Sequence, residues 1–490
     1  MLTRLKVSGF KNLIDVDIRF GPFTCIAGAN GVGKSNLFDA IRFLSALANH
    51  PLIDAALSVR AESGNTGDLR NIFHRLGDKY AETMSFEAEM IIPKEGIDDL
   101  GQKATASMTF LRYSLTIGYY SEDNLSSLGK LKLVEEKLEH INRSEAPKFL
   151  KFPHSAGKWR KSVLHGRRNA PYISTEFNKE GNPIIKLAQD GSGGMPKSFL
   201  MNSLPRTVLS TVNATESPTA LIARREMQSW RLLQLEPTAL REPDSFITSP
   251  GLSANGAHIP ATLFALSREF SRDGQSPENW IYEQIGNRLS ELIDDVHAVF
   301  IDKDEKRELL TLNVEGHNGT VHPARSLSDG SLRFLALAVI ELDPTMSGLI
   351  CLEEPENGIH PDRITAILDL LKDIAVDPFE PEGSDNPLRQ VIVNTHSPWV
   401  VKQVPDDSLL IAELQETIKD GRRCKGVRFG WLPKTWRAET GMDISPVAKG
   451  KILSYLTPEP SPYVEDRLSP KSRRVMDRPD FQRPLPFEQA

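Results

Sequence analysis

The sequence predicts an α/β fold with a mixed central sheet, an antiparallel β subdomain and an irregular inserted subdomain. Three observations support this prediction. Near the N-terminus, alternating segments give way to a continuous apolar run, a glycine-rich loop and a helical pattern. In the C-terminal half, apolar strand patterns alternate with helical ones, which is typical of a parallel sheet covered by helices. Between these regions, frequent Gly, Pro, Ser and Asn residues interrupt both periodicities.

The N-terminal elements follow from their hydrophobic patterns. Residues 2–7 and 15–20 alternate apolar and polar side chains, which predicts strands with one face toward water. A short apolar strand at Phe23–Ala27 precedes the glycine-rich loop, and a helix is expected from about Lys34 to Leu47. Further strands are predicted at 84–92, 108–119 and 130–139, and together they resemble an antiparallel sheet.

The C-terminal elements show stronger periodicity than the middle of the chain. Helices are predicted at 277–296, 330–342 and 362–375, and strands at 299–302, 309–314, 349–352, 390–394 and 409–412. These elements suggest a head divided between residues 1–145 and 271–456, with an inserted subdomain at 146–270. Residues 457–490 are rich in proline and mixed charges, which predicts a flexible or docking tail.

Composition limits the class of protein. A formal charge of -6 argues against uniform coating of nucleic acid, although a local basic face remains compatible with it. No apolar run approaches the roughly eighteen residues that a membrane-spanning helix needs. Cys25, Cys351 and Cys424 are too few and too scattered for a disulfide framework or a zinc site. The expected location is therefore the cytoplasm.

The glycine-rich loop carries the clearest chemical signal. Residues 28–35 read GANGVGKS, which fits the pattern G-x-x-x-x-G-K-[ST] between a predicted strand and a predicted helix. Glycines let backbone N–H groups turn toward phosphates, a lysine adds positive charge, and a serine hydroxyl can ligate Mg²⁺. The candidate nucleotide-binding residues are Gly28, Asn30, Gly31, Gly33, Lys34, Ser35 and Asn36.

Two adjacent acids end the apolar strand predicted at 349–352. Glu353 is the candidate that holds Mg²⁺, and Glu354 is the candidate that orients or deprotonates an attacking water. The alternative is that the strand simply ends in solvent and that the two acids have no catalytic role. The glycine-rich loop favours the catalytic interpretation, because acids at the end of a buried strand are costly unless a metal or a water network uses them.

A serine- and glycine-containing turn precedes the helix predicted at 330–342. Ser328, Gly330 and Ser331 leave backbone donors free at the start of a helix, which is a typical anion site. By itself, this turn is better explained as an ordinary helix N-cap, because Ser and Asp favour that position. Its meaning therefore depends on the other motifs of the chain.

A histidine follows the strand predicted at 390–394. His396 stands at the carboxyl end of a predicted parallel strand, where ligands bind in open α/β sheets. It could hydrogen-bond a terminal phosphate or the attacking water. A single histidine is more often structural, but four such elements in one chain make chance an implausible explanation.

Taken together, these motifs resemble a known family. The segments GANGVGKSN, LSDGSLRFLALA, EEPENGIHP and THSP resemble the ABC-type ATPases of the RecF, SMC and OLD group, and in particular bacterial predicted ATPases called AAA-family ATPases. The N-terminal segment SGFKNL fits the same family. The resemblance covers about residues 1–50 and 320–400, and WRLLQLEPTALREP at 230–243 is a less specific match.

The resemblance implies ATP and Mg²⁺ as cofactors and a head-to-tail homodimer that sandwiches two ATP molecules. Ser328, Gly330 and Ser331 of one subunit would contact the nucleotide held by the P-loop of the other. Ser35 and Glu353 would bind the metal. Glu354 would be the catalytic base, His396 the switch residue and Lys34 a catalytic cation. An assembly larger than a dimer stays open.

Three departures from the family pattern affect this expectation. The first acid is Glu353 where most ABC ATPases have aspartate, and His360 stands where transporter-type members have the aspartate of the dimer-contacting loop. No glutamine occurs between Asn36 and Gln102, so the expected glutamine metal ligand is not assigned there. Asp68 or Asn71 are the substitutes considered.

A basic segment at 146–170 is the best nucleic-acid candidate. It contains no acid, and it interleaves basic residues with Phe149, Phe152 and Trp159. Basic side chains track phosphates and aromatic rings stack on bases, whereas the alternative is a solvated loop in an acidic protein. The candidate DNA-binding residues are Lys158, Arg160, Lys161, Arg167 and Arg168.

Two functions remain open at this point. In the first, a dimeric ATPase senses or clamps double-stranded DNA in genome maintenance or phage defence. In the second, a regulatory ATPase holds or releases a separate effector, such as a nuclease, without binding DNA. A transporter subunit is not expected, and an intrinsic nuclease is not expected either, because no Asp-x-Asp pair follows His396.

Overall fold

The computed structural model describes residues 1–59, 68–120, 129–190, 195–272, 279–419, 422–440 and 446–447. The tail predicted at 457–490 lies outside the described residues. Within the described residues, every helix is too short or too polar to cross a bilayer.

The helices and strands of these residues have the following bounds. The helices are α1 (Lys34–Leu47), α2 (Leu52–Ser58), α3 (Ala146–Phe149), α4 (Trp159–Val163), α5 (Pro218–Gln228), α6 (Pro237–Arg241), α7 (Ile259–Arg272), α8 (Trp280–Ser290), α9 (Asp329–Leu342), α10 (Ile364–Ile374) and α11 (Pro398–Val401). The N-terminal strands are β1 (Leu2–Phe10), β2 (Leu13–Arg19), β3 (Phe23–Ala27), β4 (Arg75–Leu76), β5 (Lys79–Tyr80), β6 (Thr83–Ile91), β7 (Glu95–Ile97), β8 (Lys103–Thr105), β9 (Phe110–Tyr120) and β10 (Lys130–His140). The later strands are β11 (Ile173–Phe177), β12 (Pro183–Leu187), β13 (Lys197–Leu200), β14 (Arg231–Leu233), β15 (Asp244–Ser245), β16 (Ala298–Asp304), β17 (Leu309–Glu315), β18 (Val321–Pro323), β19 (Gly348–Glu353), β20 (Arg389–Thr395), β21 (Leu409–Lys419) and β22 (Arg422–Gly430).

A large antiparallel sheet has the strand order β13-β12-β11-β10-β9-β6-β1-β2. The antiparallel sheet predicted from three strands is confirmed, because β6, β9 and β10 are neighbours in this order. The middle segment adds β11, β12 and β13 to the same sheet, so this part of the predicted insertion shares a sheet with the N-terminal region. Its strands are only four or five residues long, which explains why periodicity alone did not reveal them.

The central sheet has the strand order β14-β19-β20-β3-β21-β22. The strands from β14 to β21 are parallel, and β22 pairs antiparallel with β21, so the predicted mixed sheet is confirmed. All five residues of β3 are buried, as its continuous apolar pattern requires. The carboxyl ends of the parallel strands meet at one edge, and this edge positions the candidate site.

A helical region surrounds α9. This helix contacts α6, α7, α8 and α10, and a small sheet of β15, β16, β17 and β18 lies beside α7 and α8. Helix α7 was not predicted, although its apolar residues recur at helical spacing, for example Ile259, Leu263 and Leu266. The region carries the serine- and glycine-containing turn at the start of α9.

One hydrophobic core joins the two large sheets. It includes side chains of β1, β6 and β9, of β3, β19 and β20, and of α1. Three rings, Phe10, Phe43 and Phe86, contact one another within it, with centroids between 5.5 and 5.8 Å apart. The core therefore fixes α1, and with it the glycine-rich loop, against both sheets.

Candidate functional site

A pocket of about 600 Å³ lies at the carboxyl ends of β14, β19, β20 and the loop after β3. Predicted residues from two of the four motifs line it directly. These are Asn30, Gly31, Gly33, Lys34, Ser35 and Asn36 of the glycine-rich loop, and Glu353 and Glu354 after β19. His396, from a third motif, joins them through its contact with Glu354. The fold thus brings together segments separated by some three hundred residues of sequence.

The glycines of the loop stand where the backbone angle or the available space disfavours a side chain. Gly31 and Gly33 have φ of 77° and 112°, a region that glycine adopts at little cost. A Cβ on Gly28 would lie 2.6 Å from the carbonyl oxygen of Ala412. A Cβ on Gly33 would overlap the side chain of Asn12. The loop is therefore held in a tight conformation that a larger residue would disturb.

Asn12 braces the glycine-rich loop and was not predicted as a site residue. Its Nδ2 donates a hydrogen bond to the carbonyl oxygen of Val32 at 3.0 Å, and its Oδ1 accepts one from Asn36 Nδ2 at 2.8 Å. Asn12 lies between β1 and β2, so the antiparallel sheet supports the loop directly. Its only sequence signal was its place in SGFKNL, which fits the family.

Lys34 is a buried cation in the pocket. Its Nζ donates hydrogen bonds to the carbonyl oxygens of Gly28 and Ala29 at 2.6 and 2.9 Å. Burial lowers the pKa of Lys34, and the charges of Glu354, Glu353 and Glu356 oppose this effect. A cation that the loop already encloses is suited to bind a phosphate.

Glu354 has an unusual backbone and a fully engaged side chain. Its φ is 48°, and its N–H donates to the carbonyl oxygen of Asn394 at 2.9 Å. The carboxylate accepts from Asn357 Nδ2 at 2.8 Å and lies 2.6 Å from His396 Nδ1. Burial alone would raise the pKa of Glu354, but the hydrogen bonds from Asn357 and His396 outweigh it and lower the pKa. The group is therefore ionised at neutral pH, as a proton acceptor must be.

A second acid links the two strands below the pocket. Thr395 Oγ1 donates a hydrogen bond to Glu356, whose residue is 7% exposed. Burial raises the pKa of Glu356. Thr395 Oγ1 also accepts the N–H of Ser397 at 2.9 Å, so the acid, the threonine and the turn after His396 form one connected unit.

Gln234 and Glu236 line the pocket and were missed by the sequence analysis. Both follow β14, which pairs in parallel with β19 at the edge of the central sheet. Both lie outside the segment between Asn36 and Gln102, in which no glutamine occurs. Asp68, one of the substitutes considered, instead accepts hydrogen bonds from the exposed side chain of Arg70, and it does not line the pocket. A polar residue directly after an apolar strand was the signal that could have found Gln234.

These lining residues fit a nucleotide and its metal. Backbone amides of a glycine-rich turn at the start of α1 suit phosphates, and Lys34 adds positive charge. Ser35, Glu353 and Gln234 supply the hydroxyl, carboxylate and amide oxygens that Mg²⁺ accepts. Arg333 lines the same pocket and donates to the carbonyl oxygen of Asn357 at 3.3 Å, which adds a second cation that the motifs did not reveal.

Ser328, Gly330 and Ser331 are not among the residues that line this pocket. Ser328 caps α9, because its Oγ accepts the N–H of Ser331 at 3.1 Å. The alternative interpretation of this turn, an ordinary helix N-cap, is therefore confirmed. The start of α9 packs closely on the loop after Glu354: a Cβ on Gly330 would lie 2.3 Å from the carbonyl oxygen of Gly358. The turn is thus fixed in place but set apart from its own P-loop.

The basic segment differs from the prediction in one respect. Phe152 and Trp159 are buried in a second hydrophobic cluster that also includes Trp436, and Phe149 packs against it. The expectation that these rings stack on bases is therefore wrong. Trp159 and Val163 are four residues apart in α4, a helical spacing that could have indicated a buried face.

Two of the five candidate cations already have partners within the chain. Lys158 donates to Glu380 at 2.8 Å. Arg168 lies 4.0 Å from the ring centroid of Tyr172 and donates to the backbone of Gln189 and Asp190. Arg160, Lys161 and Arg167 form no ion pair with any residue in the described ranges, which leaves a smaller basic surface than the sequence suggested.

The fold and the pocket define an ABC-type ATPase domain of the RecF and SMC type. Residues 23–402 match the family described as "AAA domain, putative AbiEii toxin, Type IV TA system". The chain belongs to this family.

Two RecF proteins match this chain over short segments, and a head domain matches it in structure over most of its length. The DNA replication and repair protein RecF of Porphyromonas gingivalis is 38% identical over 61 residues, which cover 12% of this chain and 17% of that protein. The RecF of Bacteroides thetaiotaomicron is 35% identical over 96 residues, or 19% of this chain and 22% of that protein. An Smc head domain with an extended coiled coil, derived from Pyrococcus furiosus and bound to the C-terminal domain of ScpA, is 14% identical, with a TM-score of 0.42 over 89% of this chain and 98% of that chain.

Proposed function

We propose that this protein hydrolyses ATP at composite sites formed by two copies arranged head to tail. One observation carries the proposal. The pocket gathers the phosphate-binding loop, both acids and Gln234, while Ser328, Gly330 and Ser331 stand fixed outside it. The exposed Ser328 at the start of α9 is available to the nucleotide of a partner.

Within one subunit, the residues divide the work of hydrolysis. Lys34 and the amides of the glycine-rich loop bind the phosphates. Ser35, Glu353 and Gln234 would hold Mg²⁺, which would supply positive charge to offset that of the phosphates. Glu354 orients the attacking water and accepts its proton, which its lowered pKa permits at neutral pH.

His396 is the residue whose contacts change with the state of the nucleotide. It now contacts Glu354, the proposed base, through Nδ1. The terminal phosphate competes for the same imidazole and draws it away from the carboxylate. Once the phosphate leaves, the His396–Glu354 contact can reform. This exchange gives the dimer two arrangements that ATP and its hydrolysis interconvert.

Coupling of this cycle to double-stranded DNA is the first candidate for its biological role, in genome maintenance or phage defence. The matched relatives are named as DNA replication and repair proteins. Arg160, Lys161 and Arg167 offer cations that are not neutralised within the described residues. Removing a cation that binds a DNA phosphate should weaken DNA binding and reduce its salt dependence.

Control of a separate effector protein is the second candidate. The family description names a toxin of a toxin–antitoxin system, and the formal charge of the chain is -6. The buried rings of Phe152 and Trp159 remove the stacking platform that single-stranded nucleic acid would use. In this role the closed dimer holds or releases an effector such as a nuclease.

ATP turnover with and without double-stranded DNA tests the proposal. The wild-type protein is compared with Glu354→Gln and with a variant in which Arg160, Lys161 and Arg167 are changed to Gln. Turnover should fall by about a hundred-fold or more in Glu354→Gln, because general-base catalysis is lost. Turnover that Glu354→Gln leaves unchanged would contradict the proposal. Stimulation by DNA that the triple variant abolishes supports the first role, and indifference to DNA supports the second.

A further inference from the structure

One short helix connects the wall of the nucleotide pocket to the turn that contains Ser328. Gln234 and Glu236 line the pocket, and α6 begins at Pro237, which lines it too. Two backbone hydrogen bonds, from Gln234 N–H to Ala254 and from Glu236 N–H to Asn255, each 2.8 Å long, fix this wall. Helix α6 spans about 7 Å at 1.5 Å per residue.

Arg241 is the last residue of α6, and it hydrogen-bonds to the residues on both sides of Ser328. Its Nη2 donates one hydrogen bond to the carbonyl oxygen of Leu327 at 3.0 Å and one to Asp329 Oδ1 at 2.5 Å. Ser328 lies between these two acceptors in the sequence. The two N–H groups of this nitrogen lie in fixed directions in the guanidinium plane, so the bonds define the positions of both acceptors.

We infer that Arg241 is a positioning residue for the nucleotide of the partner subunit. It fixes residues 327–329, so that the exposed Ser328 is held in one arrangement at the start of α9. This inference rests on the proposed function, in which Ser328 contacts ATP across the dimer interface.

The contact contributes little to folding, so its removal is a fair test. The Arg241 side chain is 27% exposed and that of Asp329 is 52% exposed, and exposed ion pairs add little stability. The helix itself is held by Leu240, which is 1% exposed. Arg241→Ala should therefore leave the fold and the pocket intact.

The test measures ATP-dependent dimerisation by sedimentation velocity in a Glu354→Gln background. Adding Arg241→Ala should weaken dimerisation about ten-fold or more, because the turn that contains Ser328 must then be ordered when the dimer forms, while ATP affinity of the monomer is unchanged. Asp329→Asn should act in the same direction, and combining the two should add little. Arg241→Lys should be intermediate.

Arg225→Ala is the matched control. Arg225 also pairs with a carboxylate, Asp99, at 2.7 Å and donates to a backbone carbonyl, that of Ile97, but it lies on α5. It should leave dimerisation unchanged.

The possible outcomes distinguish the role of Arg241 from the proposed composite site on which that role rests. If Glu354→Gln alone fails to dimerise with ATP, the proposal of a composite site is wrong, and the inferred role of Arg241 is overturned as well. If Glu354→Gln dimerises, and Arg241→Ala in that background dimerises as tightly as Arg225→Ala, only the inference is overturned. Loss of ATP binding by the Arg241→Ala monomer also overturns it, because the residue would then serve its own pocket.

Discussion

At the residue scale, Glu354 has a strained backbone conformation at the point where the proposed chemistry occurs. A non-glycine residue with φ of 48° costs on the order of 1–3 kcal/mol and persists only when its surroundings enforce it. Here the N–H is held by Asn394, and the carboxylate is held by Asn357 and His396. Separate contacts therefore fix the backbone and the carboxylate of the proposed base.

Gln234 is the residue whose role is most open to test. Gln234→Ala should lower the rate of ATP turnover more than it lowers ATP affinity, because a metal ligand acts chiefly on the reacting phosphate. A reduction of about ten-fold or more is expected, in the range found for groups near a metal. Steady-state turnover and fluorescent-nucleotide binding separate the two effects.

Gln415→Ala is the control for that substitution, since Gln415 is exposed on β21. Its turnover should equal that of the unmodified protein. An unaltered rate in Gln234→Ala would show that the glutamine lines the pocket without taking part in hydrolysis.

At the element scale, the start of α9 depends on the absence of a side chain at residue 330. A Cβ there would meet the carbonyl oxygen of Gly358 at 2.3 Å, and neither backbone can move without shifting the loop after Glu354. Gly330→Ala should reduce the free energy of unfolding by about 1–3 kcal/mol, the usual cost of overpacking. Gly383→Ala meets nothing within 4 Å and should change it little. Equal stability of the two variants in chemical unfolding would contradict this packing argument.

Glu136 should make stability depend on pH through one buried contact between β10 and a neighbouring turn. It accepts the N–H groups of Val208 and Leu209 at 2.7 and 2.9 Å and a hydrogen bond from Tyr113 at 3.1 Å. Burial raises the pKa of Glu136 from 4.5 to about 7, against the opposing effect of these hydrogen bonds. The folded state therefore holds the proton more tightly than the unfolded state does.

The sign of the effect follows from that difference. The contribution of Glu136 is greatest below pH about 4.5 and is lost as the pH rises to about 7, a change on the order of 3 kcal/mol. Glu136→Gln should flatten this part of the pH profile in chemical unfolding, whereas Glu180→Gln, at an exposed position, should not. A profile that keeps its slope in Glu136→Gln would refute the assignment.

The sequence predicted the elements whose patterns are local and missed those that depend on distant partners. The strand, loop and helix around Lys34 were predictable because periodicity and the motif agreed. Gln234 was not, because β14 has only three residues and becomes a strand through its pairing with β19. The rings of Phe152 and Trp159 were misread, since composition does not show that they share a cluster with Trp436.

At the scale of the whole molecule, two sheets share one hydrophobic core, and each contributes differently to the candidate site. The central sheet gathers the pocket at its carboxyl edge, and the antiparallel sheet braces the phosphate loop through Asn12. Ser328, at the start of α9, is not among the residues that line this pocket. In the proposed function, the pocket and the turn that contains Ser328 lie on separate surfaces, which is the condition for a head-to-tail pair.

The molar mass of Glu354→Gln in ATP tests this central claim most directly. The account predicts a dimer with ATP and a monomer when Ser328→Arg is added, although that variant still binds ATP. It also predicts that mixing the Ser328→Arg protein with Lys34→Ala restores a dimer, since one intact composite site then forms. A Ser328→Arg protein that dimerises with ATP as readily as Glu354→Gln alone would contradict the account.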